Sequence, residues 1–201
     1  LVVALAGCAG VSSPELADRA ASADPDGSAK PASGGSDAKK SGDALVYPSC
    51  DQIKQALGAE AAGLVEPPDS DNGPFSTKTS HGVTCTWITG AAAEHNADIA
   101  NYGGIIVGVT TEPGHPADEA VLRKYGYVVD DARAEAIGGL VVSPLEKYDP
   151  AGQAFGIGTI IGDTTVDISV TNAFLGDIPE LDAMTGEWAI GAEVRVWGLM
   201  R

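Results

Sequence analysis

The chain has 201 residues, 44% of them hydrophobic, and carries 28 Asp and Glu against 12 Lys and Arg, a formal net charge of −16. A field of that sign repels nucleic acid and anionic lipid headgroups, which argues against DNA, RNA or phosphatidylglycerol surfaces as partners and leaves cations, basic proteins and neutral ligands open. From residue 47 onward there are 22 acids and 8 bases, a net −14, so the acidity belongs to that part of the chain, where solubility alone is also a sufficient reason for it.

The first eight residues read Leu1-Val2-Val3-Ala4-Leu5-Ala6-Gly7-Cys8. A short apolar run ending in Leu5-Ala6-Gly7-Cys8 resembles the lipobox of a bacterial lipoprotein signal peptide, although the basic segment that opens such signals is missing. The resemblance implies cleavage before Cys8, a diacylglycerol thioether on its sulfur, and a protein held by lipid on the extracytoplasmic face of the cell membrane. The alternative is a buried strand with an ordinary cysteine beside it. Residues 9 to 46 favour the anchor, because Ala, Gly, Ser, Pro, Asp and Lys dominate there and cannot bury enough surface to offset ordering entropy. The chain therefore divides into the end of a signal peptide (1–7), a lipid-anchored disordered linker (8–46) and one domain (47–201). As a flexible coil the linker reaches roughly 35 Å.

Ser49-Cys50-Asp51-Gln52 predicts a helix start, with Ser49 as cap and Gln52 completing a capping box. Ile53, Ala56 and Leu57 share a face, and Gly58 ends the helix. Glu66 to Pro74 reads as an exposed loop. Its Asp69, Asp71 and Asn72 have neither the spacing nor the twelfth-position Glu of a calcium loop. Val83 to Ile88 alternates as a strand with Val83, Cys85 and Trp87 on one face. Gly104 to Thr111 reads as a buried strand, and 112–116 as a turn. Ala117 to Tyr125 has helical spacing, and Leu140 to Val142 is a short strand. Ala154–Ile161 and Thr164–Thr171, joined by Gly162-Asp163, form the clearest hairpin. From Ile178 the pattern turns helical, with Leu181, Met184 and Trp188 in step, while the last ten residues fit helix or strand. The sum is an α+β domain: an antiparallel sheet of about five or six strands with two or three helices on one face.

Setting Cys8 aside for lipid leaves Cys50 and Cys85, and an even pair in an exported protein reads as a disulfide. It would pin the first helix to the 83–88 strand beside Trp87. A two-cysteine metal site would need two more ligands, and His81, His95 and His115 lack finger-like spacing. No metal site and no cofactor are therefore expected. Gly156, Gly158 and Gly162 fall inside a hairpin rather than between a strand and a helix, so they form no dinucleotide fingerprint. Neither a serine elbow, a zinc-protease helix nor a phosphate loop is present. Asp130-Asp131 reads as a turn or helix start rather than a catalytic pair, and no catalytic residue is assigned.

The lipobox cysteine, the small-residue spacer, Pro48-Ser49-Cys50-Asp51 and the later Cys85-Thr86-Trp87 together resemble an actinobacterial lipoprotein family, the domain of unknown function numbered 3558. Layout matches over most of residues 47–201, and detail matches at the two cysteines and the tryptophan. Further C-terminal cysteines found in some members are absent here. The resemblance implies a cell-surface lipoprotein and brings no catalytic residues.

The reading is a non-enzymatic surface lipoprotein that binds an envelope protein or small ligand, with the rim of the 66–82 loop and the 112–116 turn as candidate surface. Two alternatives remain. One is a carrier for an apolar molecule such as a lipid, with Trp87, Phe155, Phe174 and Trp188 lining a pocket. The other is an enzyme of unknown class, which a pocket of groups with displaced pKa values would support.

Overall fold

Two antiparallel meanders meet at the centre of one sheet. The computed structural model describes residues 45–94, 101–144, 148–172 and 178–200, all within one unit, Asp43–Arg201. The first meander is β1 (Gly73–Ser76), β2 (His81–Ile88) and β3 (Gly103–Thr111); the second is β4 (Val128–Val129), β5 (Leu140–Val142), β6 (Ile157–Ile161) and β7 (Thr164–Asn172). Strand order is β1-β2-β3-β7-β6-β5-β4, antiparallel throughout, and the longest seam is β3 against β7, in register from Gly103↔Asn172 to Thr111↔Thr164. The sheet thus has seven strands. The two beyond the expected count, β1 and β4, are its edges, with four and two residues. Short edges, one carrying Pro74, offer little template for pairing with another chain.

Period-two alternation builds the core side of the sheet. Val83, Cys85 and Trp87 on β2, Ile105, Val107 and Val109 on β3, and Val166, Ile168 and Val170 on β7 are all buried. Over them lie α1 (Cys50–Leu57), α4 (Ala132–Glu135) and α5 (Gly186–Gly198), which contribute Ile53, Leu57, Ala134, Ile190 and Val196 to the same cluster. The expected α+β class, with helices on one face, is what the chain adopts. Two further short α-helices, α2 (Gly90–Ala93) and α3 (Glu119–Lys124), and one 3-10 turn, Ala59–Ala61, complete the described elements.

Helix ends follow the chemistry of their caps. Ser49 accepts from the Gln52 amide while the Gln52 side chain takes the Ser49 N–H, so the capping box forms, and Gly58 at φ 93° closes the helix. Asp118, Asp131 and Thr185 cap α3, α4 and α5.

Four local expectations need correction. The 66–82 segment is not one loop, because Gly73–Ser76 pairs with β2 and His81 and Gly82 already belong to β2. The first hairpin strand starts at Ile157 rather than Ala154, because Gly156 takes φ 60° and breaks the extension. The helix expected over 117–125 spans Glu119–Lys124 and buries nothing, with Val121 and Tyr125 exposed. Residues from Ile178 are first turns that bury Ile178, Leu181 and Met184; α5 begins only after Thr185 and continues as helix to Gly198.

Candidate functional site

Among the described residues, the sheet face opposite α1, α4 and α5 is half-exposed, with Ile106 and Thr171 exposed and Thr84, Thr86, Thr110, Thr165, Asp167 and Ser169 half-buried. Register sets its residues in four cross-strand rows. Gly82, Thr110, Thr165 and Ile160 make the first; Thr84, Gly108, Asp167 and Gly158 the second. Thr86, Ile106 and Ser169 make the third, and Ile88, Gly104 and Thr171 the fourth. Hydroxyls and glycines dominate, with Ile160 and Ile88 at two corners and Ile106 inside the third row. Ile106 is 38% exposed near the middle of a nine-residue strand whose core-facing neighbours are fully buried.

Two hollows lie on this face, one at each end. A groove of about 430 Å³ covers the third and fourth rows, lined by Thr86, Ile88, Ile106 and Thr171 with Tyr102 and Ala92 at its margin. A second hollow of about 320 Å³ covers the first row, where Thr110, Thr165 and Ile160 meet Glu112, His115 and Asp163. Among the described residues, neither lining contains a lysine or arginine.

Asp167 occupies the row between them. Its strand neighbours in register are Gly108 and Gly158. A Cβ on Gly108 would collide with the Asp167 carboxylate, so glycine there is what lets the side chain lie across the strand. Burial pushes the Asp167 carboxyl above its usual range. No hydrogen bond or ion pair reaches that carboxylate from the described residues.

Directly behind this row, on the core side, sits a second acid. Glu193 of α5 is fully buried, and its Oε2 accepts from the Thr159 hydroxyl at 2.6 Å. Desolvation lifts its carboxyl to about 8, with the Thr159 bond opposing the rise and the negative charge of Asp167 adding to it. Its Oε1, like the buried Tyr148 hydroxyl, has no hydrogen-bond partner among the described residues. Nearby, Arg133 holds Asp131 at 2.6 Å and Glu187 at 3.0 Å, and that bond to Arg133 keeps the Asp131 carboxyl below the usual range. Glu193 is closed to solvent, so it can store a proton but cannot present one to a substrate.

The residues singled out from sequence fall as follows. Cys8 lies outside the described residues, as do His95 and Phe174. Cys50 and Cys85 are bonded, with Cα atoms 5.6 Å apart, joining α1 to β2. Trp87, Phe155 and Trp188 do not gather around one cavity. Trp87 is in the core, Phe155 is 53% exposed, and Trp188 donates its indole N–H to the Leu57 carbonyl. Of residues 112–116, Glu112 and His115 border the hollow at the first row. Glu66, Asn72 and Pro74 instead border a different hollow of about 500 Å³ beside Cys50. The two segments do not form a single rim. Asn72 pairs through its side-chain amide with both backbone groups of Thr86, extending the sheet edge rather than binding an ion. His81 packs edge-on against Tyr47, and His115 is exposed with Nδ1 near the Pro113 carbonyl. Asp131 caps α4 and Asp130 pairs with Arg123. Among the described residues no three His, Cys, Asp or Glu side chains gather as metal ligands, and no helix is long and apolar enough to cross a membrane.

Sequence reasoning missed Asp167 and Glu193. Val166-Asp167-Ile168 does place Asp167 on the face opposite the core, so alternation carried that signal. Glu193 sits within a helical pattern where an acid normally faces water, and nothing in the pattern marks it as buried. No protein-family model, curated protein or solved structure matches the chain.

Proposed function

We propose that this chain is a lipid-anchored, extracytoplasmic binding protein of the bacterial envelope, whose sheet domain holds a partner protein or small ligand on its half-exposed face without covalent chemistry. The observation that supports the reading is the open face itself. Among the described residues, four rows of hydroxyls and glycines, with exposed Ile106 and half-buried Ile88 and Ile160 among them, run beside two hollows. Exposed apolar surface rimmed by polar groups is the mark of an interaction site. The anchor part of the reading rests on Leu5-Ala6-Gly7-Cys8 and on the resemblance in Cys50, Cys85 and Trp87. The carrier alternative finds less support. Ile53, Leu57, Ile105, Ile168 and Ile190, all buried in one cluster, occupy the space between sheet and helices where an apolar cargo would sit.

A photoreactive side chain at Ile106, in the full chain displayed on intact cells, tests this against the same group at Gln55, exposed on α1. Saturable adducts from position 106 and none from position 55 are expected. Equal labelling at both positions, or none at either, would overturn the assignment of the open face.

A further inference from the structure

We infer that the occupant of the open face is a basic segment of a partner protein, an arginine or lysine side chain seating on Asp167 while an apolar neighbour enters the groove at Ile106. The inference rests on the binding reading above and names the chemistry of its ligand.

Charge is the first ground. Asp167 is the charged group at the centre of the four rows, and Glu112 and Asp163 add carboxylates at the hollow beside it. Among the described residues, no lysine or arginine lines either hollow to neutralise them. The domain around them is strongly acidic, which steers cations inward. Arg123, Arg133 and Arg195 are engaged elsewhere, with Glu119 and Asp130, with Asp131 and Glu187, and with the Ala56 carbonyl.

Geometry is the second ground. A side chain at position 108 would take the space the Asp167 carboxylate occupies, and glycine stands there; Gly158, on the other side of Asp167 in register, adds no bulk of its own. The carboxylate therefore lies against Gly108, half-buried, without a partner among the described residues. Burial already disfavours its charge. A carboxylate in that state gains more from an incoming guanidinium or ammonium than one fully in water does.

Length selects a chain segment over a free small amine. The four rows and their two end hollows extend over roughly 20 Å, at about 6.8 Å for each second residue of a strand. Small-molecule sites enclose most of their ligand, whereas this face is shallow and open. An extended segment repeats its side chains every second residue with the same spacing as the rows. An apolar residue two positions from an arginine therefore meets Ile106 and Asp167 together.

The test uses the full chain with its disulfide intact and a short synthetic peptide alternating leucine and serine around one central arginine. The same peptide with citrulline, the neutral analogue of arginine, is the comparison. Citrulline should bind about tenfold or more weakly, the range for losing a hydrogen bond to a charged group. Asp167→Asn should remove the preference, while Glu60→Gln, an exposed acid on the far side of the fold, should keep it. The amide resonances of Gly108 and Gly158 in the unmutated protein should move at about tenfold lower concentration of the arginine peptide than of the citrulline peptide, a readout independent of any variant's folding. Equal binding of the two peptides, or a preference that survives Asp167→Asn, would sink the inference. So would n-butylguanidinium alone binding as tightly as the peptide, which would make the ligand a small organic cation. Position-dependent crosslinking at Ile106 with no arginine preference would leave the binding reading standing and remove only the basic partner.

Discussion

Thr159, in the middle of β6, donates its hydroxyl to Glu193 on α5 across 2.6 Å, a direct polar tie between sheet and helix inside an otherwise apolar core. The acid it holds is neutral over most of the physiological range, because burial raises its carboxyl to about 8. A neutral glutamic acid can both accept from Thr159 and remain in the core. An ionised one would leave a desolvated charge beside the charges of Asp167 and Asp131.

Stability should therefore depend on pH with a definite sign. The folded state keeps the Glu193 proton up to about 8, whereas the unfolded chain releases it near 4.5. Between those values the folded state binds more protons, so stability falls as pH rises and levels off above the upper one. At about 1.4 kcal/mol per unit of displacement the whole effect is several kcal/mol. Glu193→Gln, which keeps an acceptor for Thr159, should flatten the decline. Urea unfolding of both proteins from pH 4 to pH 9 checks this; parallel curves would refute the assignment.

The Cys50–Cys85 bridge closes a span of 35 residues. In the chain-entropy account its loss costs roughly 3–4 kcal/mol. Cys50→Ser/Cys85→Ser should lower the unfolding midpoint accordingly while leaving β2 paired with β3. Denaturant melts of the double variant against the oxidised protein measure it.

Gly186 opens α5 at a crowded point, where a Cβ would stand 2.8 Å from the Tyr148 ring and 3.1 Å from both the Asp149 carbonyl and the Ile157 side chain. Gly186→Ala gains intrinsic helix propensity but must displace a ring and backbone. A net loss of about 1–3 kcal/mol is expected, as for overpacked cores. Gly198→Ala, at the other end of the same helix, meets nothing within 4 Å and should be neutral or stabilising. Thermal melts of the pair compare the two directly.

Cys8→Ala, with a complete signal peptide supplied, should move the protein from the membrane fraction to the soluble extracytoplasmic fraction. Fractionation followed by N-terminal sequencing reads the result. Retention in the membrane, with a mature terminus other than Cys8, would refute the anchor.

The strongest local patterns translated directly into structure. The capping box at Ser49 and Gln52, the Val83-Cys85-Trp87 face and the Gly162-Asp163 turn each combine a short-range rule with burial on one side. Where tertiary contact overrode local preference, the sequence was silent or misleading. Gly73-Pro74 carries turn residues yet pairs along β2, because an edge strand needs only one bonded side. Ala120, Val121 and Tyr125 have helical spacing, but no element among the described residues buries them, and Tyr125 stacks on Tyr127 at the surface instead. Of the candidate site, the outward alternation of Thr84, Thr86, Thr165, Asp167 and Ser169 was readable. What escaped was the β3–β7 pairing that brings Gly108 beside Asp167, whereas the Gly158–Asp167 pair follows from the two-residue turn of the hairpin. Register between segments fifty or more residues apart leaves no trace in either segment alone.

The disulfide also fixes how the domain bears load. Cys50 is the first residue of α1, and its partner lies in β2, bonded to β1 on one side and β3 on the other. Tension applied to the chain ahead of residue 50 therefore enters the sheet through a covalent link and bypasses the eight-residue helix. Tyr47, bonded to Thr111 on β3, adds a second and weaker point of entry just upstream. A pull from that direction is borne by β2 and its pairing with β1 and β3, so α1 keeps its place on the core while the backbone ahead of it is stretched.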